Sequence, residues 1–404
     1  MSKIKIKNFG PIRCGLPGDG WIDINKITVF IGNQGSGKSS VAKLISIFSW
    51  IEKVLIRGDF NINHFTYGNR FRNRYCSYHR IESYFHDKNK NDITEIEYQG
   101  DQYHFTYKNG KLQIEQLPNV SGELTQVVYI PAERNFVSNI KNPKIFKEFS
   151  TAVTEFVGVF DIAKKAIKES IALPINYASV EYDSLNDIVN IKGDGYKVRL
   201  TESSSGFQSI TPLYLVSKHF ATQIAQSNNN SDSQDKMNSE ESARFKEGVA
   251  QIWNNKDLSF EQQSMAISVL AKRFKKTAFI NIVEEPEQNL FPLSQRDLLF
   301  SLIEFNNLSQ GNKLIMTTHS PFIVNYLKVA ALANEVKEQC DNELKNIFPL
   351  ASKVNKEDIS IYELDEKGSI LPIKTYRGFP VDANYLNEML SLGNKTVSNI
   401  VKLM

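Results

Sequence analysis

Cysteine is scarce. The 404-residue chain has three, Cys14, Cys76 and Cys340, far apart and odd in number. That pattern disfavours both a disulfide framework and a C-x-x-C zinc site, and a reducing cytoplasm is the expected setting. Excess charge of one sign is also missing: 48 basic against 45 acidic residues leave a net +3. No global field commits the chain to nucleic acid or to an anionic membrane, so any basic surface must be local. Long apolar runs are absent too. The N-terminus alternates lysine with isoleucine, and no stretch approaches about 18 uninterrupted apolar residues, so neither a signal peptide nor a membrane span is expected. What remains, 41% hydrophobic and 23% charged positions, describes a globular chain large enough for two or three packed cores.

Hydrophobic periodicity sets the organisation. Ile4 and Ile6, then Ile22 and Ile24, alternate with polar residues, and ITVFI at 27–31 is a buried-strand run. A glycine-rich loop follows, and from Ser40 the apolar residues Val41, Leu44, Ile45, Phe48 and Ile51 take helical spacing. Residues 58–92 lack clear periodicity and read as a loop-rich insertion. Strands follow at 94–116 with a turn at Asn109-Gly110, and at 127–131, where VVYIP leads into AERN. A helical stretch at about 143–171 precedes two strands joined at Gly193-Asp194-Gly195. Residues 227–242 are polar and small, and are expected to be mobile between two projecting helices. After Lys276 the pattern is strand, helix, strand, helix, and then a hairpin, ISIYELDEKGSILPIK, and a helix containing Tyr385, Leu386, Met389 and Leu390.

Four motifs carry chemistry. Gly32 to Ser39, GNQGSGKS, satisfies G-x-x-x-x-G-K-[ST] after a strand and before a helix. Such a loop aims backbone N–H groups at an anion; Lys38 would neutralise the β- and γ-phosphates of ATP and Ser39 would ligate Mg²⁺. Asn33, Gly35, Ser36, Gly37 and Ser40 complete this candidate cradle. The strand at 279–283 ends in Glu284 and Glu285. At the C-terminal edge of a parallel sheet they would meet the phosphates, Glu284 holding Mg²⁺ and Glu285 activating water. KLIMTTHSP ends a further strand at His319, placed to sense the γ-phosphate. Ser203 to Gln208, SSSGFQ, offers small donors at a helix N-terminus. A helix end of that kind, removed from its own P-loop, suits the γ-phosphate of a neighbouring subunit, which predicts ATP sandwiched between two chains.

In this order the loop, the serine-glycine segment, EEP and TTHSP resemble the ABC-type ATPases of the SMC, RecF and OLD group. YIPAERN at 129–135 and EEPEQNLFP at 284–292 resemble the compact, OLD-like AAA ATPase branch. The resemblance implies an α/β fold: an ABC-type P-loop ATPase head with an antiparallel β subdomain and an inserted helical, coiled-coil-like arm. It divides the chain into an N-terminal lobe at 1–210, an arm at 211–276 and a C-terminal lobe at 277–404. It also implies Ser205, Gly206 and Gln208 as the signature acting in trans, Glu285 as catalytic base, Glu287 to Leu290 as D-loop and His319 as switch. Two departures stand out. The signature reads SSGFQ where transporters have LSGGQ, and about 70 residues separate it from the EEP strand, which argues against a transporter subunit. No clean Q-loop glutamine occurs; the Ala132-Glu133-Arg134 turn is the candidate.

OLD-type nucleases append a Toprim domain, but about 85 residues follow His319 and no D-x-D occurs in the chain, so no nuclease site of its own is expected. In size and in this lack the chain resembles the ATPase halves of bacterial anti-phage systems: the AriA ATPases of PARIS first, the PtuA ATPases of Septu second. The implied assembly is a homo-oligomer of ATP sandwiches, from a dimer to a hexameric ring. It would hold an effector nuclease in trans, of Toprim type or of HNH type, until a phage trigger protein releases it. A RecF- or SMC-like DNA-binding repair ATPase is the rival reading, and a scaffold that binds ATP structurally is another. The run His64 to Arg80, with Arg70, Arg72, Arg74 and Arg80 among Phe71, Tyr75 and Tyr78, fits either single-stranded nucleic acid or a protein interface.

Overall fold

The computed structural model describes residues 2–86, 92–118, 124–139, 151–229, 239–255, 259–272 and 274–402. The start of the helical stretch expected at 143 and most of the segment expected to be mobile lie outside them.

Its centre is a six-stranded sheet in the order β15-β14-β3-β13-β12-β7. These strands are β3 (Ile27–Gly32), β7 (Leu124–Ile130), β12 (Lys276–Glu284), β13 (Lys313–Thr318), β14 (Ile359–Leu364) and β15 (Ile370–Pro372). All neighbours run parallel except β14 and β15. All six residues of β3 are buried, because a parallel sheet is covered on both faces and its strands read as continuous apolar runs. Val29 and Ile31 join one core with α4 (Ser205–Asn229), α7 (Pro292–Asn307) and α8 (Pro321–Asn334). Phe30, Ile282 and Ile315 join the other, with α1 (Lys38–Arg57). Each fully buried side chain of this size contributes about 1.5–3 kcal/mol, so the sandwich of helix, sheet and helix fixes where the strands end.

Behind α1 lies an antiparallel sheet, β2-β1-β4-β5-β6, formed by β1 (Ser2–Lys7), β2 (Ile22–Ile24), β4 (Glu95–Gln99), β5 (Tyr103–Lys108) and β6 (Lys111–Gln116). Asn109 and Gly110 turn it with φ of 53° and 74°, the left-handed pair a two-residue hairpin needs. A second antiparallel sheet, β11-β10-β9-β8, uses β8 (Ile171–Ala172), β9 (Ser179–Asp183), β10 (Ile188–Gly193) and β11 (Tyr196–Arg199). It follows α3 (Thr151–Lys165) and leads into α4.

Two expectations need correction. Residues 58–86 are not a loose insertion: a π-helical turn at Phe71–Cys76 packs onto α1, α2 (Ile62–Thr66) onto β6, and a short 3₁₀ turn at Glu82–Tyr84 onto the π-helical turn. Phe71 stacks on Phe48 with centroids 5.4 Å apart. The π-helical turn breaks the 3.6-residue period, which hid the helix in the sequence. The boundary expected at 211 falls inside α4, whose residues through Ile224 feed the core. Beyond it, α5 (Ser239–Asn254) and α6 (Phe260–Lys272) pack as a helical pair. A short α9 (Asp341–Leu344) precedes β14, and α10 (Tyr385–Val401) ends the described chain. The tail hairpin forms as expected, but β14 also enters the central sheet beside β3. Among the described residues no helix is long and apolar enough to cross a membrane.

Candidate functional site

The register of the parallel strands assembles the site. Thr318 pairs with Ile31, Glu284 with Thr317 and Val283 with Ile130. The loop after β3, the carboxylates after β12, the histidine after β13 and the turn after β7 therefore share one sheet edge.

Gly37 caps α1 at φ 103°, with no side chain on the helix end. A Cβ there would lie 2.8 Å from Ile12, so both the left-handed backbone and the close approach require glycine. The result is an α1 N-terminus whose N–H groups face outward for an anion. Lys38 is buried, its Nζ donating to the carbonyls of Gly32 at 3.0 Å and Asn33 at 2.8 Å and lying 3.4 Å from His319 Nδ1. Burial lowers its pKa to about 8, against the pull of Glu285, Glu287 and Glu284 in the opposite direction. Its acceptors are carbonyls and an imidazole, and among the described residues no carboxylate lies within ion-pair distance, so the ammonium can exchange them for phosphate oxygens. Asn33 is exposed and donates to Glu366 at 3.0 Å; Ser40 is buried within α1.

His319 links the cation to the base. Its Nε2 is 3.3 Å from Glu285 Oε1, and its main-chain N–H donates to Glu287 Oε1 at 2.6 Å. One neutral tautomer satisfies both ring contacts, with Nδ1 accepting from Lys38 and Nε2–H donating to Glu285. That hydrogen bond holds the Glu285 carboxyl below its ordinary pKa, which keeps it ionised as a base requires. Glu285 has a left-handed φ of 44°, and its N–H donates to Thr317 O at 2.9 Å; strain of this kind concentrates at active sites.

Among the described residues, the buried polar atoms at this edge without a hydrogen-bond partner include Ser36 Oγ, Glu284 Oε1, Glu287 Oε2 and Thr317 Oγ1. Leaving such a group unsatisfied costs about 1–3 kcal/mol, so their convergence fits a polar ligand. ATP with Mg²⁺ fits the donor set: Ser39 and Glu284 would hold the metal, and Gly35 to Lys38 the phosphates. The metal, when bound, neutralises phosphate charge and positions the β- and γ-oxygens.

Sequence reasoning missed the chief organiser. Arg134, expected only as part of a Q-loop candidate, is completely buried. Its Nη1 donates to Glu284 O at 2.6 Å and to Pro131 O at 3.3 Å, and its Nη2 to Glu285 O at 2.5 Å. Its Nε–H reaches Ser209 O at 3.2 Å in α4. The signal was present in YIPAERN, an arginine directly after a buried strand.

The signature helix lies against the D-loop. A Cβ on Gly206 would sit 3.0 Å from Asn289 O, so glycine permits that approach. Gln208 donates back to Thr201 O and Ser203 O, while Ser204 and Ser205 stay exposed. In the arginine-rich run, Phe71 is 2% and Tyr75 9% exposed, and Arg72 donates to Glu82 O. Bases cannot stack on those two rings, whereas Tyr67, beside Arg70, is 74% exposed and Tyr78 half-buried.

A buried P-loop lysine, a strand-end carboxylate pair and a histidine bridging them on one sheet edge are the arrangement of a P-loop NTPase. The family model described as "AAA domain, putative AbiEii toxin, Type IV TA system" matches residues 27–325, and the chain belongs to this AAA ATPase family. Among solved structures the chain is similar to an SMC head domain from Thermotoga maritima, at 11% identity and TM-score 0.37 over 92% of this chain and 98% of that one. An Smc head with an extended coiled coil, derived from Pyrococcus furiosus and bound to the C-terminal domain of ScpA, aligns at 11% identity and TM-score 0.35, over 99% and 100% of the two chains. A dimeric bacterial ABC transporter cassette aligns at 10% identity and TM-score 0.25, over 92% and 96%. No curated protein matches.

Proposed function

We propose that this protein hydrolyses ATP in sandwiches between copies of itself and uses that cycle to hold or release a toxic effector nuclease in bacterial anti-phage defence. The carrying observation is the Lys38–His319–Glu285 chain. An incoming γ-phosphate takes Lys38 from its carbonyls, and His319 loses its cationic donor and reorients. Glu285, already ionised, then accepts a proton from water attacking in line. The exposed Ser204 and Ser205 at the start of α4 suit the γ-phosphate held by a second copy, giving a dimer or a ring of up to six chains. The family's description as a toxin of a toxin–antitoxin system supports control of a toxic output, and an AriA-like partnership with a Toprim effector fits a chain of this layout.

Expressing the chain with its genomic neighbours and recovering it with ATP, without ATP and as Lys38→Ala tests the proposal. A Toprim nuclease retained in a nucleotide-dependent manner is the expected result. An HNH nuclease would place the protein with the PtuA type instead. Retention of DNA alone, lost steeply with salt, would overturn the effector reading in favour of a RecF-like repair ATPase.

A further inference from the structure

Arg134 does more than occupy a core. A guanidinium carries five N–H donors in a rigid fork, and here every hydrogen bond described above goes to a main-chain carbonyl. Two acceptors, Glu284 O and Glu285 O, end the catalytic strand. One, Pro131 O, directly follows β7. The last, Ser209 O, lies in the first turns of α4, four residues after Ser205. The same helix meets the D-loop through Gly206 and Asn289, and Ser209 Oγ lies 3.5 Å from Gln288 Oε1. A single buried cation thus bolts the backbone that carries the catalytic carboxylates to the helix expected to serve the neighbouring copy.

We infer that Arg134 is a positioning residue that transmits the state of one copy's catalytic edge to the signature helix it lends to its partner, so that the two ATP sites of a sandwich are coupled. The inference rests on the sandwich reading above. Burial lowers the arginine's pKa to about 10, and Glu287, Glu285 and Glu284 favour its charge, so it stays cationic at neutral pH. Lysine would keep that charge. Its single nitrogen cannot span two strands and a helix, so Arg134→Lys separates the bridge from the counter-ion.

The test uses mixed dimers of the full chain. One copy carries Lys38→Ala, which empties its own P-loop; the other is unaltered, so the one working site combines the unaltered P-loop with the signature of the Lys38→Ala copy. Adding Arg134→Lys to the Lys38→Ala copy reaches that site only through α4. Turnover is expected to fall about five-fold or more, with ATP affinity at the unaltered P-loop and the melting temperature of the altered copy little changed. Turnover equal to that of the Lys38→Ala reference dimer would overturn the coupling. If the unaltered copy alone turned over as fast as the reference dimer, the sandwich reading itself would fail, a distinct outcome. Should Arg134→Lys prevent folding, hydrogen exchange on a Ser205→Arg chain, blocked from pairing, supplies the test. ATP is expected to slow exchange at 207–212, and unchanged exchange there would contradict the coupling.

Discussion

The two ends of β12 bury charge in opposite ways. At its start, Lys276 meets Glu241 of α5 at 3.1 Å, Arg57 at the end of α1 meets Glu241 at 2.7 Å, and Arg244 meets Asp59 at 2.8 Å. Arg57 also pairs with Asp59. Each carboxylate there has two cations, and the network ties α5 to the end of α1 and the start of β12. At its other end, Lys38 rests on carbonyls, Glu284 keeps an unpartnered oxygen, and Glu285 holds a left-handed backbone. Paired buried charge builds architecture, whereas buried charge left short of partners is poised for a ligand.

The largest effect separating the two ends is expected from Glu285→Gln. Turnover should fall about 10²–10⁴-fold while ATP binding, measured by calorimetry, survives; loss of binding would mean that Glu285 serves the cradle and not the chemistry. At the other end Glu241→Gln strands Lys276 and leaves Arg57 to Asp59 alone, and should cost about 3–5 kcal/mol in denaturant unfolding, with kcat at saturating ATP unchanged. A parallel fall in kcat would show that the ends are not separable.

The smallest effect is in pH. With Lys38 at about 8 in the free chain and phosphates favouring the ammonium, ATP affinity is level below pH 8. Above it, affinity falls by about ten-fold per unit as the free chain loses the proton that the complex retains. Affinity that stays flat to pH 9.5 would remove Lys38 from phosphate binding.

Much of the catalytic end was legible because each motif abuts a buried strand: Lys38 after ITVFI, Glu284 and Glu285 after FINIV, His319 after LIMTT. Sequence adjacency and spatial adjacency coincide there. What escaped was non-local. The fork of Arg134 reaches, besides Pro131, carbonyls 75 to 151 positions away, and β14 enters the sheet beside β3 across more than 300 residues. The aromatics at 65–85 lacked a period because a π-helical turn interrupts it. The Arg57–Glu241 bond at the start of β12, 184 residues apart, was equally out of reach of local pattern.

On the proposed reading, ATP joins copies of this chain through the P-loop of one and the signature helix of another. Light scattering on Glu285→Gln, with and without ATP, tests it directly, alongside Lys38→Ala and Ser205→Arg in the same background. The account predicts a mass that at least doubles with ATP and stays unchanged by ATP in both double variants. A mass indifferent to ATP in Glu285→Gln, or a Ser205→Arg chain that still assembles, would contradict it.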